Sequence, residues 1–455
     1  MIDDLGMMSN LLYKTICLAS FLIAILICYS CGGESETITP PTPVNPTNPT
    51  EPTEPENPSG PETPTGKKEH TAIFYMAGDN SLSRYLQNDN LTGDIDELLK
   101  GVAGLDADVL ANNNLLVFVD KEEVDFLPVI WEVGMKDDQP VLNVVKQFET
   151  EVVSSDPTVI QEVVSFAKEN YPAEHYGFVY WSHGDGWMPT QVSAVRTVNP
   201  LRYIGVDNQN NTLKGNDAIR TSIPDLARAL ASIGQKFDFL LFDACYMLSM
   251  EVAYELRNCT NYIIASPTET PSPGAPYDSM IHTLFDAVAM GQVFYEYYAN
   301  RYDEVKVISP SHDNWHGGAA IGVVDCTKLD TLAKATAKGL QNVSEVDNEA
   351  LRQEIFYYDR RALVGVHYYF DMVDLMKTLM NADDFATWHN IYQEMMVSWQ
   401  TTPKVFASAT RWFSMEEAHG MTHYIPKKND ASANSDVLYH STSWYNDAGL
   451  SQLGW

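Results

Sequence analysis

"VYWSHGDG" spans residues 179–186, and "LLFDACYM" spans residues 240–247. Each is an apolar run that stops at a reactive side chain, His183 in the first and Cys245 in the second. Continuous apolar runs, unlike alternating ones, suit strands buried on both faces of a mostly parallel sheet. In such sheets ligands bind beyond the carboxyl ends of the strands. If the two runs are parallel strands, His183 and Cys245 emerge on the same edge of one sheet. Taken singly, each is equally readable as the ordinary end of a buried strand, and the thiol as a small core hydrophobe.

Similar runs recur along the chain: "TAIFYMA" (71–77), "LLVFVD" (115–120), "YIIAS" (262–266) and "AAIGVVD" (319–325). Helical patterns lie between them, from Ser83 to Lys100, Thr158 to Glu169, Pro224 to Ala231 and Met247 to Arg257. Strand–helix alternation of this kind predicts an α/β three-layer domain over residues 67–327. Residues 328–455 read as a mainly helical, aromatic-rich extension that ends in strand-like pieces such as "MTHYIPK" (421–427).

The N-terminus is a different material. Lys14, a short apolar run (15–27) and the ending "CYSCGGE" (28–34) predict a signal peptide over residues 1–30, with translation starting at Met7 or Met8. The run is too short for a comfortable membrane-spanning helix. Its ending resembles a bacterial lipoprotein signal, with Cys31 acylated after cleavage at Ser30. Glu34 and Glu36 resemble a surface-export signal, which points to an outer-membrane or cell-surface lipoprotein. Residues 31–66 repeat Pro with Thr, Asn and Glu and hold almost no large apolar side chains, so they read as a disordered, extended stalk.

The formal net charge is −32 among 455 residues, which argues against a nucleic-acid partner and is compatible with attraction of basic peptides. With Cys17, Cys28 and Cys31 in the leader, the mature fold keeps Cys245, Cys259 and Cys326. An odd, sparse set is not a disulfide framework. Cys259 and Cys326 lack glycine-rich or helix-capping context and read as structural thiols.

Cys245 needs a lowered pKa or a nearby base to act as a nucleophile. The helix expected from about Met247 would place a helix N-terminus beside it, and His183 could take the thiol proton and return it to a leaving amine. The glycines of "HGDG" would let backbone amides approach a substrate closely. The amides of Gly184 and Cys245 are the candidates for stabilising an oxyanion. His316, in "NWHGGAA", precedes a strand and belongs at the opposite edge. No Cys or His pair has zinc-ligand spacing, whereas Asp79 and Asp120 end their strands at the active edge, where Ca²⁺ is a possible ligand.

These motifs resemble the clostripain family of cysteine peptidases, which has the caspase-like fold. The resemblance rests on "YWSHGDGW" (180–187) followed by "LLFDACYMLSMEVAYEL" (240–256). It extends through "FYMAGDNSL" (74–82), "GDIDELL" (93–99), "AAIGVVDCTKLDTL" (319–332), "YFDMVDLMKTL" (369–379) and "GMTHYIPK" (420–427). It implies an endopeptidase with His183 as acid/base, Cys245 as nucleophile and no obligatory third residue. It further implies cleavage after Arg or Lys, with Asp243 at the base of the pocket, and activation by cleavage between the His and Cys segments. Residues 188–215 read as a long loop, with Arg196–Thr197 as the candidate processing bond and Arg202 nearby. One departure is clear: "ASPTETPSPGAPYDSM" (265–280) keeps Pro273-Gly274 and Tyr277 of the family's acidic loop but lacks its Gly-Trp pair. Glu269 is then the only second acid for a basic side chain. Two other readings stay open, a non-catalytic peptide- or glycan-binding protein on a degenerate peptidase fold, and a caspase-fold hydrolase of non-basic specificity.

Overall fold

The computed structural model describes residues 66–87, 93–187, 203–213, 217–303, 318–344, 346–360, 367–407, 411–427 and 433–455. The expected lipidation residue Cys31, the stalk, the processing arginines Arg196 and Arg202, and His316 lie outside the described residues.

Among the described residues, nine strands form one sheet. In chain order they are β1 (Lys68–Gly78), β2 (Asn113–Lys121), β3 (Val129–Lys136), β4 (Gln139–Gln147), β5 (Ala173–Trp181), β8 (Phe237–Asp243), β9 (Thr260–Ala265), β10 (Ala320–Asp325) and β12 (Met396–Thr401). The small pair β6 (Tyr203–Asp207) and β7 (Ile219–Ser222) stands apart from it, as does β11 (Phe370–Asp371), which pairs with β15 (Thr422–His423). The sheet order is β12-β10-β9-β8-β5-β1-β2-β3-β4. Strands β9, β8, β5, β1 and β2 run parallel, and antiparallel strands flank them on both sides.

The parallel strands are buried on both faces, as their unbroken apolar runs require. In β1, Ile73, Tyr75 and Ala77 enter one core and Phe74 and Met76 the other. The first core is covered by the helices Pro157–Asn170, Ile223–Leu230 and Met250–Leu256 and by the C-terminal elements. The second is covered by the helices Asp94–Val102 and Ala287–Ala299. This is the three-layer α/β sandwich predicted from the alternation. At roughly 1.5–3 kcal/mol per fully buried large apolar side chain, each parallel strand contributes heavily to stability.

Local signals explain the helix starts. Asp156 caps its helix by accepting from the Thr158 amide at 2.8 Å, with Pro157 at the first position. Ser222 does the same for the Asp225 amide, with Pro224 next to it.

Four elements differ from the sequence reading. The single helix expected from Ser83 to Lys100 is a short turn, Ser83–Leu86, and a separate helix, Asp94–Val102, starting after Gly93. Strands β3 and β4 were not anticipated; Asp137 and Asp138, both at positive φ, join them in a two-residue turn. Within the expected loop 188–215, residues 203–207 form β6, an apolar run closing on Asp207. The region after residue 328 also supplies β12, an edge strand of the main sheet antiparallel to β10.

Candidate active site

Strands β5 and β8 are adjacent and parallel, with Trp181 paired to Asp243. His183 and Cys245 each follow that pair by two residues, so both sit where the chains leave the sheet at the same edge. Ser182 pins the end of β5: its amide donates to the Asp243 carbonyl at 3.4 Å and its hydroxyl to the Ala77 carbonyl at 2.8 Å.

Beyond Ser182 the glycines let two chain segments touch. A Cβ on Gly184 would lie 2.9 Å from the Cys245 carbonyl oxygen and 2.9 Å from the Ala244 Cβ. Gly186 has φ +52°, and a Cβ there would meet the Tyr246 carbonyl oxygen at 2.5 Å. The space that the "HGDG" glycines leave is taken by the cysteine segment of the chain itself. Gly184 forms an isolated antiparallel bridge with Ile204. The bridge uses the His183 carbonyl, 2.9 Å from the Gly205 amide, and the Asp185 amide, 3.2 Å from the Tyr203 carbonyl. That pattern leaves the Gly184 amide out of the ladder.

His183 is half-buried, and its Nε2 lies 2.9 Å from Ser81 Oγ. Burial, and secondarily the Arg220 guanidinium, push its pKa down to about 4, so the imidazole is neutral at neutral pH. A neutral imidazole can accept a proton from a thiol.

Cys245 is half-buried and outside any disulfide. Its Sγ lies 3.3 Å from the Thr270 amide, and Thr270 Oγ1 donates to the Ala244 carbonyl at 3.0 Å. Tyr246 takes φ +61°, unusual for a residue with a side chain, and its amide donates to the Thr268 carbonyl at 3.0 Å. This sharp turn delays the helix, which begins at Met250 rather than near Met247. The expected helix N-terminus is thus not beside the sulfur; a loop amide is. Cys259 and Cys326 are buried, and burial pushes the Cys259 thiol up to about 11 and raises that of Cys326 as well. Both behave as core residues.

Asp243 ends β8 and is buried. Its Oδ2 accepts from the Ala275 amide at 2.8 Å and the Tyr277 hydroxyl at 3.0 Å. Gly274, at φ +70°, passes so close that a Cβ there would sit 2.5 Å from Oδ2. The retained "PG…Y" residues therefore wrap the Asp243 carboxylate. Asp94, missed by the sequence reading, lies behind this group: it accepts from Trp181 Nε1 at 2.6 Å, and burial and then the charge of Asp243 raise its pKa. Glu269 is half-buried and immediately precedes Thr270, which puts its backbone at the lip of the sulfur site.

Asp79 and Asp120 do meet at the active edge, and Asp207 of β6 joins them. Their carboxylate oxygens lie within 4.8 Å of one another. Asp207 falls in the stretch read as loop, although "YIGVD" ends in Asp as β8 does.

A His and a Cys at the carboxyl ends of neighbouring parallel strands, within a three-layer sandwich, define a caspase-like cysteine peptidase framework. The "Clostripain family" signature matches residues 74–453. Clostripain from Hathewaya histolytica is 27% identical over 247 residues, covering 49% of this chain and 42% of clostripain. The match thus spans less than half of that relative's length. A secreted C11 cysteine protease from Bacteroides thetaiotaomicron, solved with an irreversible peptide inhibitor, is 33% identical over 84% of this chain and 99% of its own, with a TM-score of 0.71. An inactive zymogen C11 protease from Parabacteroides distasonis is 26% identical over 84% of this chain and 99% of its own, with a TM-score of 0.66. The chain belongs to the clostripain family of cysteine proteases.

Proposed function

We propose that the protein is an endopeptidase that cleaves after Arg or Lys, with Cys245 as nucleophile and His183 as acid/base. The carrying observation is the shared register: both residues lie two positions past the Trp181–Asp243 pair on adjacent parallel strands. In this reading neutral His183 takes the Cys245 proton as sulfur attacks the scissile carbonyl, and returns it to the departing amine. Water then hydrolyses the thioester, freeing the acid and restoring the thiol. The Gly184 and Cys245 amides stabilise the oxyanion, and such donors typically contribute about 2.7–4 kcal/mol each.

Basic specificity is supported by two acids at the site. Asp243 is a carboxylate held in place at the strand end by the 274–277 loop, and Glu269 sits at the lip. Membership alongside clostripain supports the same preference. We further propose self-cleavage at Arg196–Thr197 and anchoring to the outer membrane or cell surface through a lipid on Cys31, as the leader reads. The secreted homologue supports export.

The test is a panel of fluorogenic peptides with Arg, Lys, Asp, Asn and Leu before the bond, using wild type and Cys245→Ala. Cleavage after Arg and Lys, lost in Cys245→Ala, is expected. Cleavage that survives Cys245→Ala ends the mechanism, and cleavage confined to non-basic residues ends the specificity claim. N-terminal sequencing of incubated protein tests processing; full activity from an intact chain sinks it.

A further inference from the structure

We propose that Tyr369 positions the cleavage site: its hydroxyl holds the His183 loop and its ring holds the Cys245 turn, a role that rests on the catalytic assignments of those two residues made above. Tyr369 is fully buried. Its hydroxyl donates to the Asp185 carbonyl, with Asp185 Oδ1 3.3 Å away. Asp185 lies two residues past His183, and its amide pairs with the Tyr203 carbonyl. The same phenol passes against Gly186, where a Cβ would sit 3.0 Å from Tyr369 Cε1 and 3.1 Å from its oxygen. The positive φ and bare Cα of Gly186 let the phenol reach the His183 loop.

The ring acts on the other half of the site. It stacks on Tyr246, with centroids 4.9 Å apart and planes 20° apart. Tyr246 directly follows Cys245 and holds φ +61°. A residue with a Cβ keeps that conformation only where its surroundings impose it. Here they include the Thr268 carbonyl, which accepts the Tyr246 amide, and the Tyr369 ring. A side chain from the C-terminal region thus meets both the residue after the nucleophile and the loop of the base.

Tyr369 is itself braced. Its carbonyl accepts from the Tyr358 amide at 2.8 Å. The next two residues form β11, paired with β15. β15 and the residue after it are tied to the chain following Cys245: the Thr422 amide donates to the Leu248 carbonyl at 3.1 Å, and the Tyr424 amide to Glu251 Oε1 at 2.9 Å. A buried phenol on a braced strand fixes the spacing of two loops better than a loop residue does. Core filling alone does not call for the hydroxyl, because Phe has nearly the same shape. A buried hydroxyl is kept where it has a partner, and Asp185 supplies one.

The test compares full-chain wild type with Tyr369→Phe, Tyr369→Leu and Tyr254→Phe. Tyr254→Phe removes a hydroxyl bond of the same kind, 2.8 Å to Asp447 Oδ2, away from the site. The substrate is whichever fluorogenic peptide of the panel wild type cleaves fastest. Tyr369→Phe is expected to lower kcat about 10-fold with KM within about twofold of wild type, and Tyr369→Leu, which also loses the stack, about 100-fold. Tyr254→Phe is expected to lower the Tm and leave kcat unchanged. A second readout needs no substrate: alkylation of Cys245 by iodoacetamide, followed by mass spectrometry of its peptide. The thiolate is the reacting form, so near pH 6 the reaction depends on His183 standing ready to take the proton. There Tyr369→Phe is expected to react about 10-fold more slowly than wild type, and the two rates to converge near pH 9.5, where the thiol ionises unaided. Wild-type kcat in Tyr369→Phe overturns the proposal, as does a loss no greater than that of Tyr254→Phe. If Tyr369→Leu fails to fold, Tyr369→Phe decides alone. Wild type that cleaves no peptide, or cleavage that survives Cys245→Ala, ends the catalytic assignments instead. The alkylation rates then decide whether Tyr369 sets the geometry of His183 and Cys245, and equal rates near pH 6 overturn it.

Discussion

Gly184 and Cys245 leave no room for a side chain between them: a Cβ at Gly184 would lie 2.9 Å from the Cys245 carbonyl oxygen. That close fit sets the gap between the His and Cys segments. Gly184→Ala must push the two apart, because the obstructing atoms are backbone and Ala244 Cβ rather than a flexible side chain. Overpacking of this kind costs about 1–3 kcal/mol, and a displacement near 1 Å can cost about 100-fold in rate. The expected outcome is a folded protein, by circular dichroism and a Tm within several degrees of wild type, with kcat/KM down about 100-fold. Retention of wild-type kcat/KM would show that the gap is not critical.

Asp243→Asn keeps the shape of the side chain and its ability to accept from the Ala275 amide and Tyr277 hydroxyl. It removes the charge. The loss for peptides with Arg or Lys before the bond is expected at about 10–100-fold in kcat/KM, roughly 1.4–2.7 kcal/mol. Peptides with Leu there should be little changed. An equal fall for all substrates would assign Asp243 to loop support alone, and Glu269→Gln would then be the variant that alters basic preference.

The parallel centre of the sheet was legible because burial on both faces leaves an unbroken apolar run, as in residues 71–77 and 238–244. That His183 and Cys245 leave the sheet at one edge was legible because parallel strands share an edge. Long-range closure was not. Nothing local in "YIGVD" says that Asp207 returns to Asp79 and Asp120, and nothing near Trp181 announces its hydrogen bond to Asp94, far away in sequence. The helix after Cys245 starts late because Tyr246 at φ +61° turns the chain first, against the ordinary preference of a residue with a Cβ. The β3–β4 hairpin did carry a signal, the Asp137-Asp138 pair, because Asp tolerates positive φ better than most residues with side chains.

Asp94 is fully buried, and burial first, then the Asp243 charge, hold its pKa well above the carboxylate range. The folded state therefore binds its proton more tightly than the unfolded state. That contribution is present at low pH and is lost as pH rises from the unfolded value, near 3.9, through the folded one. Asp94→Asn keeps an acceptor for Trp181 Nε1 and removes the titration. The Tm of the variant is expected to exceed wild type by about 2–4 °C at pH 7 and to converge with it near pH 4. A variant less stable than wild type at pH 7 would mean that the ionised carboxylate stabilises the fold.

His183 gives the opposite sign. Its folded pKa is depressed to about 4 by burial and by Arg220, whereas an unfolded histidine titrates near 6.5. Between those values the unfolded chain takes up a proton that the folded chain refuses, so His183 costs stability as pH falls from about 6.5 towards 4. In the same window the folded imidazole stays neutral and able to accept the Cys245 proton. The acid limb of kcat/KM, which reports the free enzyme, is therefore expected near pH 4 to 5 rather than near 6.5. Arg220→Gln removes the repulsive cation and should move that limb upward, leaving KM for a neutral peptide nearly constant. A limb midpoint near 6.5 that Arg220→Gln leaves in place would mean that His183 is not the titrating base.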